Sequence, residues 1–180
     1  MKQQHLVEFV LTPQVFHCVQ GCSLDFQQQS ESTLVDEGTN QEETENGPLW
    51  TMYFDGSCTK STAGASVWIT NIENNHTECI SCKLNFQCSN NIAEYEALIL
   101  GLHLLKELGA KRINVHGDSE LVIRQVKGEY NANHPRLRAY QNDVIDLLKT
   151  FEEFELIFVP RKRNIAAQNL AFAARTCLAP

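Results

Sequence analysis

An α/β fold with a five-stranded mixed sheet is predicted by three observations on this 180-residue chain. After Pro48, successive segments alternate apolar and polar residues with a period of two, as half-buried strands do. From Ile92 the apolar period becomes helical. Beyond Gly109, short apolar runs alternate with further helical stripes. The predicted order is βββαβααβα, an α/β sandwich. With 43% hydrophobic residues the chain can bury a sizeable core.

Leu49 to Phe54 reads as the first strand, with Asp55-Gly56-Ser57 as turn chemistry closing it. Ala65 to Ile72 and Thr77 to Phe86 continue an antiparallel meander, turning at Asn74-Asn75. The long helix carries Tyr95, Leu98, Ile99, Leu102, Leu105 and Leu108 on one stripe. Ser89-Asn90-Asn91 supplies its N-cap residues and Gly109 its stop. Arg112 to His116 is a fourth strand, and Gly117-Asp118-Ser119 leads into a helix from Glu120 to Lys127. Pro135, suited to a first helical position, opens a third helix reaching about Lys149. Glu155 to Val159 is the last strand, and Asn164 to Thr176 an Ala-rich closing helix.

The net charge of −7 would argue against a nucleic-acid partner if it were evenly spread. Residues 1–48 hold one basic residue, Lys2, against eight acids, so the whole excess lies there and residues 49–180 are neutral. Residues 25–48 read as an acidic flexible linker, because they hold too little apolar surface to offset their ordering entropy. No apolar run approaches the roughly 20 residues needed to span a bilayer, and the start lacks a signal peptide. An intracellular, nuclear or cytoplasmic, protein is expected, with no membrane partner. The seven cysteines are expected to be reduced thiols. Cys79 and Cys82 have a zinc-like spacing, but on a strand they point to opposite faces.

Asp55, Glu94 and Asp118 each have a structural explanation alone: a hairpin turn, a capping box after Asn91, and an N-cap. Together they point elsewhere. If the first and fourth strands are parallel neighbours, Asp55 and Asp118 emerge side by side, and a helix on the sheet can aim Glu94 at them. Three converging carboxylates repel one another unless hard cations sit between them. Two Mg²⁺ ions about 3.5–4 Å apart are the usual apparatus for hydrolysing a phosphodiester.

The motifs Tyr-Phe-Asp55-Gly-Ser, Ser89-Asn-Asn-Ile-Ala-Glu94-Tyr-Glu-Ala-Leu and Gly117-Asp118-Ser-Glu-Leu-Val resemble those of the type 1 ribonuclease H family. The resemblance runs from Trp50 to the C-terminus, and a ribonuclease H-like domain is expected over 49–180. Gly128-Glu-Tyr130, Pro135-Arg-Leu137 and Val159-Pro-Arg161 bring it closest to ribonuclease H domains of plant gypsy-type retrotransposon polyproteins. Residues 1–24 are similar, more weakly, to the stretch upstream of such domains, and are expected to be weakly structured. The family implies a five-stranded mixed sheet flanked by helices, and cleavage of the RNA strand of an RNA–DNA hybrid with Mg²⁺ or Mn²⁺. It implies Asp55, Glu94 and Asp118 as catalytic, metal-holding residues for two ions. Ser89, Asn90 and Asn91 would lie along the hybrid's minor groove, where small polar groups can read 2′-hydroxyls. Gly56, Ser57, Ser119, Arg161 and Arg163 are candidate phosphate or sugar contacts. A monomer, once part of a larger polyprotein, is expected.

One departure stands out. The family's pattern Asn-x-x-Ala-Asp-x-Leu-Ala reads here Asn164-Ile-Ala-Ala167-Gln168-Asn169-Leu170-Ala171, so Gln168 takes the place of a fourth acid. An amide oxygen can hold a cation but brings no charge. Weakened or lost activity is therefore expected. The alternatives are a non-catalytic nucleic-acid-binding module and a retrotransposon remnant. A proofreading-type exonuclease would need an acid where Ser57 stands.

Overall fold

The computed structural model describes residues 47–165 and residue 167. The expectations for 1–24, for 25–48 up to residue 46, and for most of the closing helix lie outside the described residues. The elements are β1 (Leu49–Cys58), β2 (Ala63–Asn71), β3 (Thr77–Leu84), α1 (Asn90–Glu107), β4 (Arg112–Gly117), α2 (Glu120–Val126), α3 (Pro135–Leu148) and β5 (Glu153–Phe158). A short 3-10 turn follows at Arg161–Arg163. The sheet order is β3-β2-β1-β4-β5, antiparallel among the first three strands and parallel from β1 through β4 to β5. β1 is thus central. Phe54 pairs with Gly117, which sets Asp55 and Asp118 at the same end of adjacent parallel strands.

One sheet face makes the core. Met52, Phe54, Val67, Ile69 and Val115 are buried there against Tyr95, Leu98, Leu102 and Leu105 of α1. α1 lies on β1 and β2, with α3 beside it. Gly101 allows the close approach, since a Cβ there would fall 2.1 Å from Met52 Sδ. Trp50 joins the core, but Trp68 points the other way and bonds Thr70 through its indole N–H. Asn75 turns the β2–β3 connection at φ 55°, and Gly109 ends α1 at φ 73°, a region where side chains other than Asn and Gly are disfavoured.

Several expected boundaries shift, those of β1 and β5 among them, while the N-cap of α1 falls on one of the expected residues. β1 does not stop at Phe54: Asp55, Gly56 and Ser57 pair in the ladder with Ser66, Ala65 and Gly64, and the chain reverses only at Thr59–Thr62. α1 begins at Asn90 because Ser89 is the N-cap, its Oγ accepting from Ile92 N–H at 3.3 Å. β5 begins at Glu153, where Arg112 bonds the Glu153 carboxylate at 2.8 Å.

Candidate active site

Each structural explanation for the three acids fails on these shifts. Asp55 sits within a paired strand, so it is no hairpin turn. Glu94 lies five residues beyond the N-cap, too far for a capping box. Asp118 precedes Ser119, which takes the N-cap position of α2. What remains is convergence. One carboxylate oxygen from each of Asp55, Glu94 and Asp118 lies within 4.8 Å of the others. Asp55 and Glu94 are buried, and Asp118 is a half-buried residue whose side chain is only 5% exposed.

The electrostatics follow from that geometry. Burial raises the Glu94 carboxyl well above the ordinary carboxylate range, and the Asp55 and Asp118 charges raise it further. The Gly56 N–H, donating to Glu94, and the Arg161 guanidinium oppose the rise without cancelling it. Glu94 Oε2 is buried with no hydrogen-bond partner among the described residues. A buried acid with an unmet oxygen beside two further carboxylates is the donor set of a hard divalent cation. The residues present therefore fit Mg²⁺ or Mn²⁺.

Gly56 sits at the contact between sheet and helix. A Cβ on it would fall 2.1 Å from the Ala93 carbonyl carbon and 2.2 Å from Glu94 N, so only glycine lets α1 come this close to β1. Two further residues secure the site: Asn164, which opens the family pattern but to which the sequence assigns no role, and Ser66, which the sequence does not single out. Asn164 is buried and donates from Nδ2 to the Phe54 carbonyl at 2.8 Å, pinning the chain after the basic turn to β1. Ser66, opposite Asp55, bonds the Ala167 carbonyl. The motif marks Asn164 and strand alternation places Ser66, but their long-range partners are invisible to spacing.

Ser89 and Asn90 are exposed at the start of α1, with Asn91 half-buried beside them. Asn90 Oδ1 accepts from Cys58 N–H at 3.1 Å, joining this rim to the end of β1 just past Ser57. Ser119 is half-buried beside Asp118. Arg161 Nε lies 3.6 Å from Asp118 Oδ2, its side chain 79% exposed and open to a ligand. Arg163 parts from it, acting electrostatically on Tyr53, on the sheet face away from α1. Of the basic residues around the middle helices, Lys111, Arg112 and Arg124 are engaged with Glu152, Glu153, and Glu120 and Glu129. Gln168 lies outside the described residues. A cavity of about 450 Å³ beside the start of α3, lined by Tyr130, Asn131, Arg138 and Gln141, holds none of the acids.

Residues 53–174 match the family described as reverse transcriptase-like. The chain belongs to that family. The ribonuclease HI of Halobacterium salinarum is 38% identical over 85 residues, 47% of this chain and 43% of that protein. The chain thus spans less than half the length of that relative. The N-terminal ribonuclease H domain of Rv2228c from Mycobacterium tuberculosis superposes with a TM-score of 0.66 at 29% identity, over 71% of this chain and 94% of that chain. LC11-RNase H1, solved in complex with an RNA/DNA hybrid, gives a TM-score of 0.62 at 30% identity, over 70% of this chain and 96% of that one. The five-stranded mixed sheet with its helices is a ribonuclease H-like fold. Among the described residues no helix is long and apolar enough to cross a membrane.

Proposed function

We propose that this member of the reverse transcriptase-like family binds RNA–DNA hybrids and hydrolyses their RNA strand at Asp55, Glu94 and Asp118. The observation that carries the reading is the convergence of these three buried carboxylates within 4.8 Å. The likeness to LC11-RNase H1, which was solved with a hybrid, supports the substrate class. Two Mg²⁺ or Mn²⁺ ions held by the three acids would supply an activated water and charge to offset the leaving oxygen. The chain's own residues do the rest. The central strand fixes Asp55, the Gly56 N–H orients Glu94, and Asn164 holds the basic turn against β1. Ser89, Asn90 and Asn91 offer short polar groups to the minor groove, and the exposed Arg161 guanidinium offers charge to a phosphate.

The finer kinship, to a plant gypsy-type retrotransposon domain, rests on Gly128-Glu-Tyr130 and Val159-Pro-Arg161. A second reading, a binding module without turnover, is favoured by one residue, Gln168 in place of the fourth acid. Incubating the chain with a labelled hybrid in Mg²⁺ and in Mn²⁺, beside Asp118→Asn, separates the two. Cleavage abolished by Asp118→Asn is the expected result. Binding without cleavage selects the module, and cleavage that survives the substitution belongs to a contaminant.

A further inference from the structure

Four cysteines lie among the described residues, and all are free thiols. Cys79 is buried and Cys82 packs against the core. Cys58 and Cys88 differ from these. Cys58 ends β1, and Cys88 lies in the irregular stretch between β3 and α1, one residue before the N-cap Ser89. The Cys58 thiol donates to the Cys88 carbonyl oxygen at 3.1 Å, which sets the two cysteines side by side. Both residues are half-buried, so a small reagent can reach them. The Cys58 N–H to Asn90 Oδ1 bond already ties the same two segments together. The hydrolytic reading uses neither thiol.

We propose that Cys58 and Cys88 form a reversible disulfide at the rim of the acid cluster, by exchange with a small-molecule disulfide such as oxidised glutathione. One cysteine, as thiolate, attacks a glutathione sulfur. The reagent's S–S bond breaks, one reduced glutathione leaves, and a mixed disulfide remains. The second cysteine gives up its proton and attacks the protein sulfur of that mixed disulfide, releasing the second glutathione. The two protein thiols are oxidised together, and the two electrons end on two molecules of reduced glutathione.

An S–S bond of about 2.05 Å requires the Cys88 sulfur to replace its carbonyl oxygen as the neighbour of the Cys58 sulfur. Cys88 can make that movement, since it belongs to no helix or strand. Burial and the neighbouring Cys58 push the Cys88 thiol up to about 11, so bridging is slow at neutral pH and quickens as pH rises. Drawing Cys88 toward β1 also draws in Ser89 and Asn90. On the hybrid reading, this rim is where the minor groove rests, and the bridged chain binds hybrid at least fivefold more weakly.

The test begins without nucleic acid, so it stands apart from the functional reading. The full chain is equilibrated with oxidised glutathione, alkylated and digested without reduction, and its peptides are weighed. A Cys58–Cys88 linked pair that dithiothreitol releases, absent from Cys58→Ser and Cys88→Ser, is expected. Pairing of either residue with another cysteine, a dimer linked between chains, or a persistent glutathione adduct overturns the site. Fluorescence anisotropy with a labelled hybrid in Ca²⁺ then compares bridged and reduced chains. Affinities within twofold overturn the effect on the rim, and glutathione-treated Cys58→Ser should keep the reduced chain's affinity.

Discussion

Three carboxylates within 4.8 Å destabilise the cation-free chain, and Glu94 bears the effect most directly because burial and both neighbouring charges act on it. Its folded pKa lies above its unfolded one, so the folded chain holds the extra proton. Its stabilising contribution is full below the unfolded value near 4.5 and is lost as pH rises through the folded value. In EDTA, Glu94→Gln should therefore match the parent near pH 4.5 and be the more stable of the two at pH 8. Urea unfolding at the two pH values checks this, and a gap that does not widen with pH counts against it. Mg²⁺ or Mn²⁺ should reverse the order by stabilising the parent more than the variant, a binding effect visible in melting temperature alone. Gln168 carries the complementary expectation. Gln168→Asp adds a charged ligand, so cleavage of a hybrid in Mg²⁺ should rise about tenfold or more, the change produced by ~1.4 kcal/mol of transition-state stabilisation. An unchanged rate and metal requirement would remove Gln168 from the site.

At the scale of the element, the site depends on how closely α1 sits on β1, and Gly56 sets that distance. Gly56→Ala places a methyl 2.1 Å from backbone that cannot rotate aside, so the start of α1 must shift. Overpacking of this kind costs about 1–3 kcal/mol. Urea unfolding should show that loss, and a Mn²⁺ titration followed by melting temperature should show weaker binding, because Glu94 moves with the helix. A variant with parental stability and metal response would show that the contact yields freely. The same contact explains what could be read from the sequence. Helical stripes and strand alternation placed the five strands and the helices α1 to α3, since burial of one face writes a period into the chain, but not the 3-10 turn at Arg161–Arg163. The three acids were legible for a related reason: each lies near the end of an element whose neighbour could be guessed. Asp55-Gly56-Ser57 misled because these residue types favour turns, yet here Gly56 serves close packing and Asp55 continues the ladder. The bonds of Asn164 and Ser66 stayed hidden because they run to Phe54 and Ala167, about a hundred positions away in sequence, and no period encodes such a pairing.

At the scale of the whole molecule, charge and fold are divided along the chain. The sheet order brings β1 and β4 together as parallel neighbours, so acids 63 positions apart in sequence meet at one end. Residues 49–180 are neutral overall, and three of their acids are buried in the cluster. Holding cations, the cluster draws in phosphate instead of repelling it. The seven net negative charges of 1–48 remain as the chain's one large electrostatic bias. If residues 25–48 are a flexible acidic linker, they sample the basic groups that substrate must reach, among them the exposed Arg161, Lys162 and Arg163. They then compete with nucleic acid through the same screened attraction. Deleting residues 1–48 should tighten hybrid binding severalfold at about 20 mM salt. The gain should fade by about 300 mM, where the Debye length drops to ~6 Å. Anisotropy titrations of the two chains at both salt concentrations decide it. An affinity that deletion leaves unchanged at low salt would show that the acidic segment stays clear of the site, and a gain that persists at high salt would point to steric blockage instead of charge.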